Sequence, residues 1–92
     1  MFFEWDEKKN TMNIKKHKIS FAQAVYVFKD LNRKEYYDHM HSGLDEDRII
    51  AIGKAGNSVL FVSFTEPDEE TIHIISARKA KRHERENYYE NS

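Results

Sequence analysis

From Arg78 to Arg85 the chain sets Arg78, Lys79, Lys81, Arg82 and Arg85 around His83. An arginine carries a planar, permanently charged fork that can grip two oxygens of one phosphate, and lysine adds a point charge. An imidazole titrates near neutrality and can take or give a proton. Such a run could hold a phosphate or could be the wet face of a helix, and composition alone leaves both open. A second set of cations, Lys8, Lys9, Lys15, Lys16 and Lys18, surrounds His17 near the start. Acid collects between the two sets, at Asp45–Asp47 and Glu66–Glu70, so a net charge of −1 hides a segregated field.

Two further groups could do chemistry. Asp38, His39, His41, Asp45 and Asp47 offer imidazole and carboxylate ligands of the kind zinc or manganese takes. Their spacing matches no specific motif, and a polar loop is the plainer reading, so no metal is expected. Phe2, Phe3 and Trp5 could stack on bases, although an N-terminal aromatic cluster more often belongs to a core or an oligomer contact. There is no cysteine, which removes disulfides and thiolate metal sites.

Elements must position these groups. Ninety-two residues make one domain, expected over 1–92 with a frayed tail from Asn87. A domain of this size buries only roughly 60–65% of its unfolded surface, so large rings must fill a thin core. Asp6 is an N-cap for a helix ending near Lys18, with Met12 and Lys16 on one face. Ser20 and Gln23 form a capping box for a second helix over Phe21–Lys29. Lys34–His39 has the composition of an edge strand, and His41–Asp47 that of a loop. Arg48–Lys54, Ser58–Glu66 and Thr71–Ala77 alternate as strands, and the short separations between them favour antiparallel hairpins. In the middle strand Leu60, Val62 and Phe64 face the core. A third helix is expected over Ala77–Tyr89 with Ser76 as its cap, and it puts Arg78, Arg82 and Arg85 on one face. The fold class is α+β, with two N-terminal helices, a three- to four-stranded antiparallel meander and one C-terminal helix. Charges interrupt the N-terminus where a signal peptide needs an apolar run, and no stretch is long enough to span a bilayer. A cytoplasmic location with no membrane partner is expected.

Four motifs then occur in order: Phe3-Glu4-Trp5-Asp6, His17 with Ile19-Ser20-Phe21, Asp47-Arg48 leading into Ile52-Gly53, and Ile74-Ile75-Ser76-Ala77-Arg78-Lys79-Ala80. Together they resemble the BrnT family, toxins of bacterial type II toxin–antitoxin pairs, over about Phe3 to Tyr88. The resemblance implies a RelE-like fold, RNA as substrate, metal-independent cleavage without a cofactor, and growth inhibition through blocked translation. It also implies a cognate DNA-binding antitoxin, BrnA-like, and allows a toxin homodimer within the complex. Lys18 departs from the pattern, because relatives usually carry glycine after that histidine and glycine makes a left-handed cap at low cost.

On that reading RNA supplies its own nucleophile, the 2′-OH, and the protein supplies a base, an acid and cations. Arg78 is the first candidate for the phosphate, against an ion pair with Glu66 or Glu70. Arg48 is the second, against a pair with Asp45 or Asp47. His17, His83 and Glu66 are the candidates for proton transfer. Arg82, Lys79, Lys16, Lys9 and Lys8 would follow the RNA backbone, whereas Arg85 mainly solvates its helix. The alternative is a non-catalytic module that binds RNA or protein through the basic C-terminal helix.

Overall fold

The computed structural model describes residues 1–44 and 46–90. Asp45, assigned above to the acidic loop and the possible metal group, lies outside the described residues. The chain runs β1 (Phe2–Glu4), α1 (Glu7–His17), α2 (Phe21–Ala24) with a 3-10 continuation (Val25–Lys29), β2 (Lys34–Tyr37), β3 (Ile49–Ala55), β4 (Ser58–Asp68), β5 (Thr71–Lys79) and α3 (Arg82–Glu90). The strands form one five-stranded sheet in the order β1-β5-β4-β3-β2. From β2 to β5 every pairing is antiparallel, as expected. The expected meander lacks one strand, since β1 adds to β5 in parallel, with Phe3 opposite Ile72. Three residues show no alternation of their own, and β1 becomes a strand only through that distant partner.

Alternation along β4 divides the interior. Leu60, Val62 and Phe64 are 1%, 0% and 0% exposed and meet Phe21, Ala24, Val27 and Phe28 from α2 and its 3-10 continuation. Phe3 and Trp5 pack against the same core, at 5.4 Å from Phe28 and 6.1 Å from Phe21 (ring centroids). Of the N-terminal aromatics only Phe2 is exposed. The opposite face carries Ile50, Ile52, Val59 and Phe61, covered by Ala80 and by Tyr88 of α3. α3 continues to Glu90, past Asn87 where fraying was expected, and its Tyr88 is buried; Asn91 and Ser92 of the expected tail lie outside the described residues.

The third helix is corrected at its start as well. Ser76 is a strand residue and caps nothing; β5 extends through Arg78 and Lys79, which pair with Phe61 and Leu60. The helix-forming composition of this stretch yields to a ladder with a buried neighbouring strand. A bulge decides the direction of each side chain. Ser63 opposes Ser76 and Phe64 opposes Ile74, which leaves Ile75 as one extra residue on β5. Ile74 and Ala77, three apart, can therefore both face the first core, while Ser76 and Arg78 face the α3 side. A second irregularity between Thr65 and Asp68 carries the strand past Pro67, beyond the expected boundary at Glu66.

The inner side of α1 holds by amides. Asp6 accepts from the Lys8 and Lys9 N–H groups, as its cap role requires. Asn10 accepts from the Phe21 N–H at 2.9 Å, and Met12 points to solvent. Asn13, 7% exposed, donates to the carbonyls of Ile19 and Ala77 and accepts from the Ala77 N–H. Its side chain thus serves as one more strand residue along β5 beyond the reach of β1. Lys18 does take the left-handed cap, at φ 63, although it is not glycine. The Ser20–Gln23 capping box forms. At Gly53 an added Cβ would lie 2.9 Å from Arg33 Cβ and 3.0 Å from Val27 Cγ1, so this strand position lets the 3-10 segment approach.

Candidate active site

Arg78 sits in a cradle built from three elements. Its guanidinium lies over the Phe61 ring at 3.9 Å from the centroid, a cation–π contact from the neighbouring strand. Glu84 of α3 takes the end of the fork, Nη1 to Oε1 at 2.9 Å and Nη2 to Oε2 at 3.1 Å. Nη1 also donates to the Lys79 carbonyl. Three of the five guanidinium protons are used. The Nε–H and the second Nη2–H, along one edge of the fork, have no partner among the described residues. That edge matches two oxygens of a phosphate.

Glu84 is itself fixed. Its carboxylate accepts the Lys81 N–H at 2.7 Å, one of the donors a helix start leaves unpaired. Burial of Glu84 pushes its carboxyl up, but the Arg78 fork, the Lys81 N–H and the charge of Arg78 together hold it below its ordinary 4.5. The alternative weighed against the phosphate role, an ion pair with an acidic neighbour, does form, but with Glu84 and not with Glu66 or Glu70.

Strand register lays out the rest of this face. One row across the sheet reads Lys34, Ile52, Phe61, Arg78, and the next reads Tyr36, Ile50, Ser63, Ser76. The two serines are the smallest residues in either row and leave a low floor between Tyr36 and Arg78. Further along, Thr65 opposes His73, whose Nδ1 lies 2.7 Å from Glu4 Oε2.

The other candidates are dispersed. His83 is exposed in the first turn of α3, directly before Glu84 in the chain. Lys79 ends β5, exposed. Arg82 pairs with Glu86 at 2.9 Å on the outer side of α3, and Arg85 donates to the Ala80 carbonyl at 2.6 Å. Because Arg78 lies on a strand, the expected shared helix face of Arg78, Arg82 and Arg85 does not exist. His17 ends α1, half-buried, and Lys8, Lys9 and Lys16 are exposed on the same helix. Glu66 lies five residues along β4 from Phe61, about 17 Å at strand rise. It lines a shallow acidic cleft with Glu46, Asp47 and Thr65. Arg48 pairs with Glu46 at 3.1 Å, not with Asp47.

The loop histidines and carboxylates find other partners. His41 Nδ1 lies 2.9 Å from Asp38 Oδ2, His39 packs on the Tyr37 ring, and Asp47 accepts from the Tyr37 hydroxyl. Among the described residues no group of three or more His, Cys, Asp or Glu could hold a metal ion. No helix of the described residues is long and apolar enough to cross a membrane. Sequence reasoning missed Glu84, Phe61 and Tyr36. A signal existed for Glu84 alone, as an acid three residues after the residue preceding a helix, the capping-box position.

The sequence profile described as ribonuclease toxin, BrnT, of type II toxin–antitoxin system matches residues 5–84. The chain belongs to the BrnT family of ribonuclease toxins. The crystal structure of the Brucella abortus ribonuclease toxin BrnT is similar, with a TM-score of 0.68 and 31% identity, covering 89% of this chain and 100% of that one. No curated protein matches. A BrnT toxin of type II acts with a cognate antitoxin and on RNA, which gives the α3-side face a substrate class to be weighed against.

Proposed function

We propose that this BrnT chain is a metal-independent endoribonuclease whose scissile phosphate docks on the free edge of Arg78. The observation that carries this reading is the Arg78 cradle: stacked on Phe61 and clamped by Glu84, the guanidinium keeps one bidentate edge open. The 2′ oxygen attacks phosphorus, the P–O5′ bond breaks, and a 2′,3′-cyclic phosphate forms. His83, which directly precedes Glu84 of the cradle, takes the 2′ proton, and the departing 5′ oxygen is protonated from solvent or a second side chain. Lys79 and Arg82 hold adjoining phosphates. Arg48, His17 and Glu66, remote from Arg78 or engaged elsewhere, serve binding or structure. A BrnA-like antitoxin neutralises the toxin by covering this face, in the cytoplasm.

The test is cleavage of a labelled RNA by the purified protein with EDTA present. Arg78→Ala should lower the rate about 100-fold or more, as loss of a charge-stabilising donor does. Arg78→Lys should restore little, because an ammonium has no fork. A folded Arg78→Ala protein cutting at the wild-type rate would remove Arg78 from the mechanism, and loss of cleavage in EDTA would end the metal-free scheme. A non-catalytic binding module draws support from the Arg78–Glu84 pair, which could be purely structural. It requires salt-sensitive binding with RNA recovered intact.

A further inference from the structure

Among the described residues, Tyr36 is the one large polar side chain on the Arg78 face whose hydroxyl has no assigned work. It projects from the edge strand β2 in the row adjoining Arg78, and the side chains between them are Ile50, Ser63 and Ser76. Three strand spacings separate β2 from β5, about 14 Å, a gap that a tyrosine and an arginine reach into from both sides. Tyr36 remains 47% exposed despite standing over the sheet, and its hydroxyl has no hydrogen-bond partner among the described residues. Both Arg78 and Glu84 act on that hydroxyl electrostatically, which places it within range of the cradle. Partial burial first, and then the Glu84 charge, raise its pKa above 10.0 against the opposing pull of Arg78, so at neutral pH the group is a proton-bearing donor. Tyr37, next in sequence, has the opposite parity and spends its hydroxyl on Asp47 at 3.0 Å.

We infer that the Tyr36 hydroxyl is a second anion donor of this site, bonding a non-bridging oxygen of the RNA phosphate held by Arg78 over the Ser63–Ser76 floor. The inference rests on the placing of Arg78 at the scissile phosphate. The donor faces an oxygen whose negative charge grows as the 2′ oxygen adds to phosphorus, so its bond strengthens in the transition state. No proton is transferred by Tyr36; it holds its own throughout.

The experiment compares Tyr36→Phe, Tyr37→Phe and Arg78→Ala in single-turnover cleavage of one RNA oligonucleotide, with binding of its 2′-O-methyl analogue measured alongside. Tyr36→Phe keeps the ring, so melting should match wild type. Its cleavage rate should fall about 10- to 100-fold, and binding of the uncleavable analogue should change less than threefold, on the order of 0.6 kcal/mol. Tyr37→Phe should cut at the wild-type rate. Wild-type cleavage by Tyr36→Phe beside an inactive Arg78→Ala overturns the Tyr36 role and leaves the Arg78 reading standing. An equal loss in Tyr36→Phe and Tyr37→Phe overturns it also, since damage to the edge strand then explains both. Wild-type cleavage by Arg78→Ala overturns the Arg78 reading, and the Tyr36 inference falls with it.

Discussion

Lys18 holds the cap of α1 at φ 63, where a side chain costs about 1–2 kcal/mol relative to right-handed backbone. Glycine there would remove that strain but add about 0.4–1 kcal/mol of unfolded-chain entropy. The strain outweighs the entropy, so Lys18→Gly should stabilise the protein by about 0.5–1 kcal/mol. A urea midpoint that rises at unchanged slope checks this; no rise would mean that the Lys18 ammonium, 3.3 Å from the Lys15 carbonyl, offsets the strain. Arg78 carries a different lesson. Residue type and motif single it out as a candidate, but they do not name its partners. Phe61 and Glu84 come to it from different elements, and only tertiary pairing brings an aromatic face and a carboxylate to one guanidinium.

Among the elements, α1 depends on amides where a helix of its length usually depends on an apolar stripe. Asn13 is the centre of that attachment. Asn13→Ala should strand the N–H and carbonyl of Ala77 and cost about 2–3 kcal/mol, since each buried polar group left unpaired costs about 1–3. Asn13→Asp should recover little, for a carboxylate can accept from the Ala77 N–H but cannot donate to the two carbonyls. Thermal and urea unfolding of both variants would decide it; a loss below about half a kcal/mol would mean water replaces the amide. The elements are unevenly legible in the sequence. The Asp6 cap, the Ser20–Gln23 box and the alternation of Leu60, Val62 and Phe64 are local signals, and the folded chain keeps all three. β1 and the extension of β5 through Lys79 depend on partners far away in the chain. The Ile75 bulge leaves no mark in composition, yet it sets which face Arg78 serves.

For the molecule as a whole, Asp30 ties the C-terminal helix to the sheet. Its Oδ2 accepts from the Tyr88 hydroxyl at 2.5 Å and from the Lys54 N–H at 2.8 Å, and its Oδ1 accepts from the Asn32 N–H. Burial raises the Asp30 carboxyl, but the bonds from Lys54, Tyr88 and Asn32 outweigh it and hold the group below its ordinary 3.8. Burial, then the bond to Asp30, push the Tyr88 hydroxyl up to about 12, so it stays a donor across the working range. Asp30 and Glu84 are both depressed, so each contributes stability that is present above its unfolded value and lost as pH falls through the folded one. Stability should therefore hold from neutrality to about pH 5 and then fall through the range below 4.5 and 3.8. The double variant Asp30→Asn, Glu84→Gln should be less stable at pH 7 and show a flatter acid limb in urea midpoints taken against pH. An unchanged limb would mean other carboxylates govern acid unfolding.

The bulge at Ile75 makes the sidedness of β5 a matter of counting. With Ile75 kept and the ladder regular, Ile75 and Ala77 would turn to the α3 side and Arg78 would fall on the side of Ile72 and Ile74. In genetic terms the extra residue makes this surface tolerant, because losing the Ile75 codon in frame leaves Ser76, Ala77 and Arg78 on the sides they already hold. Every side chain named on that face would still be encoded, and the arginine would still stand opposite Phe61.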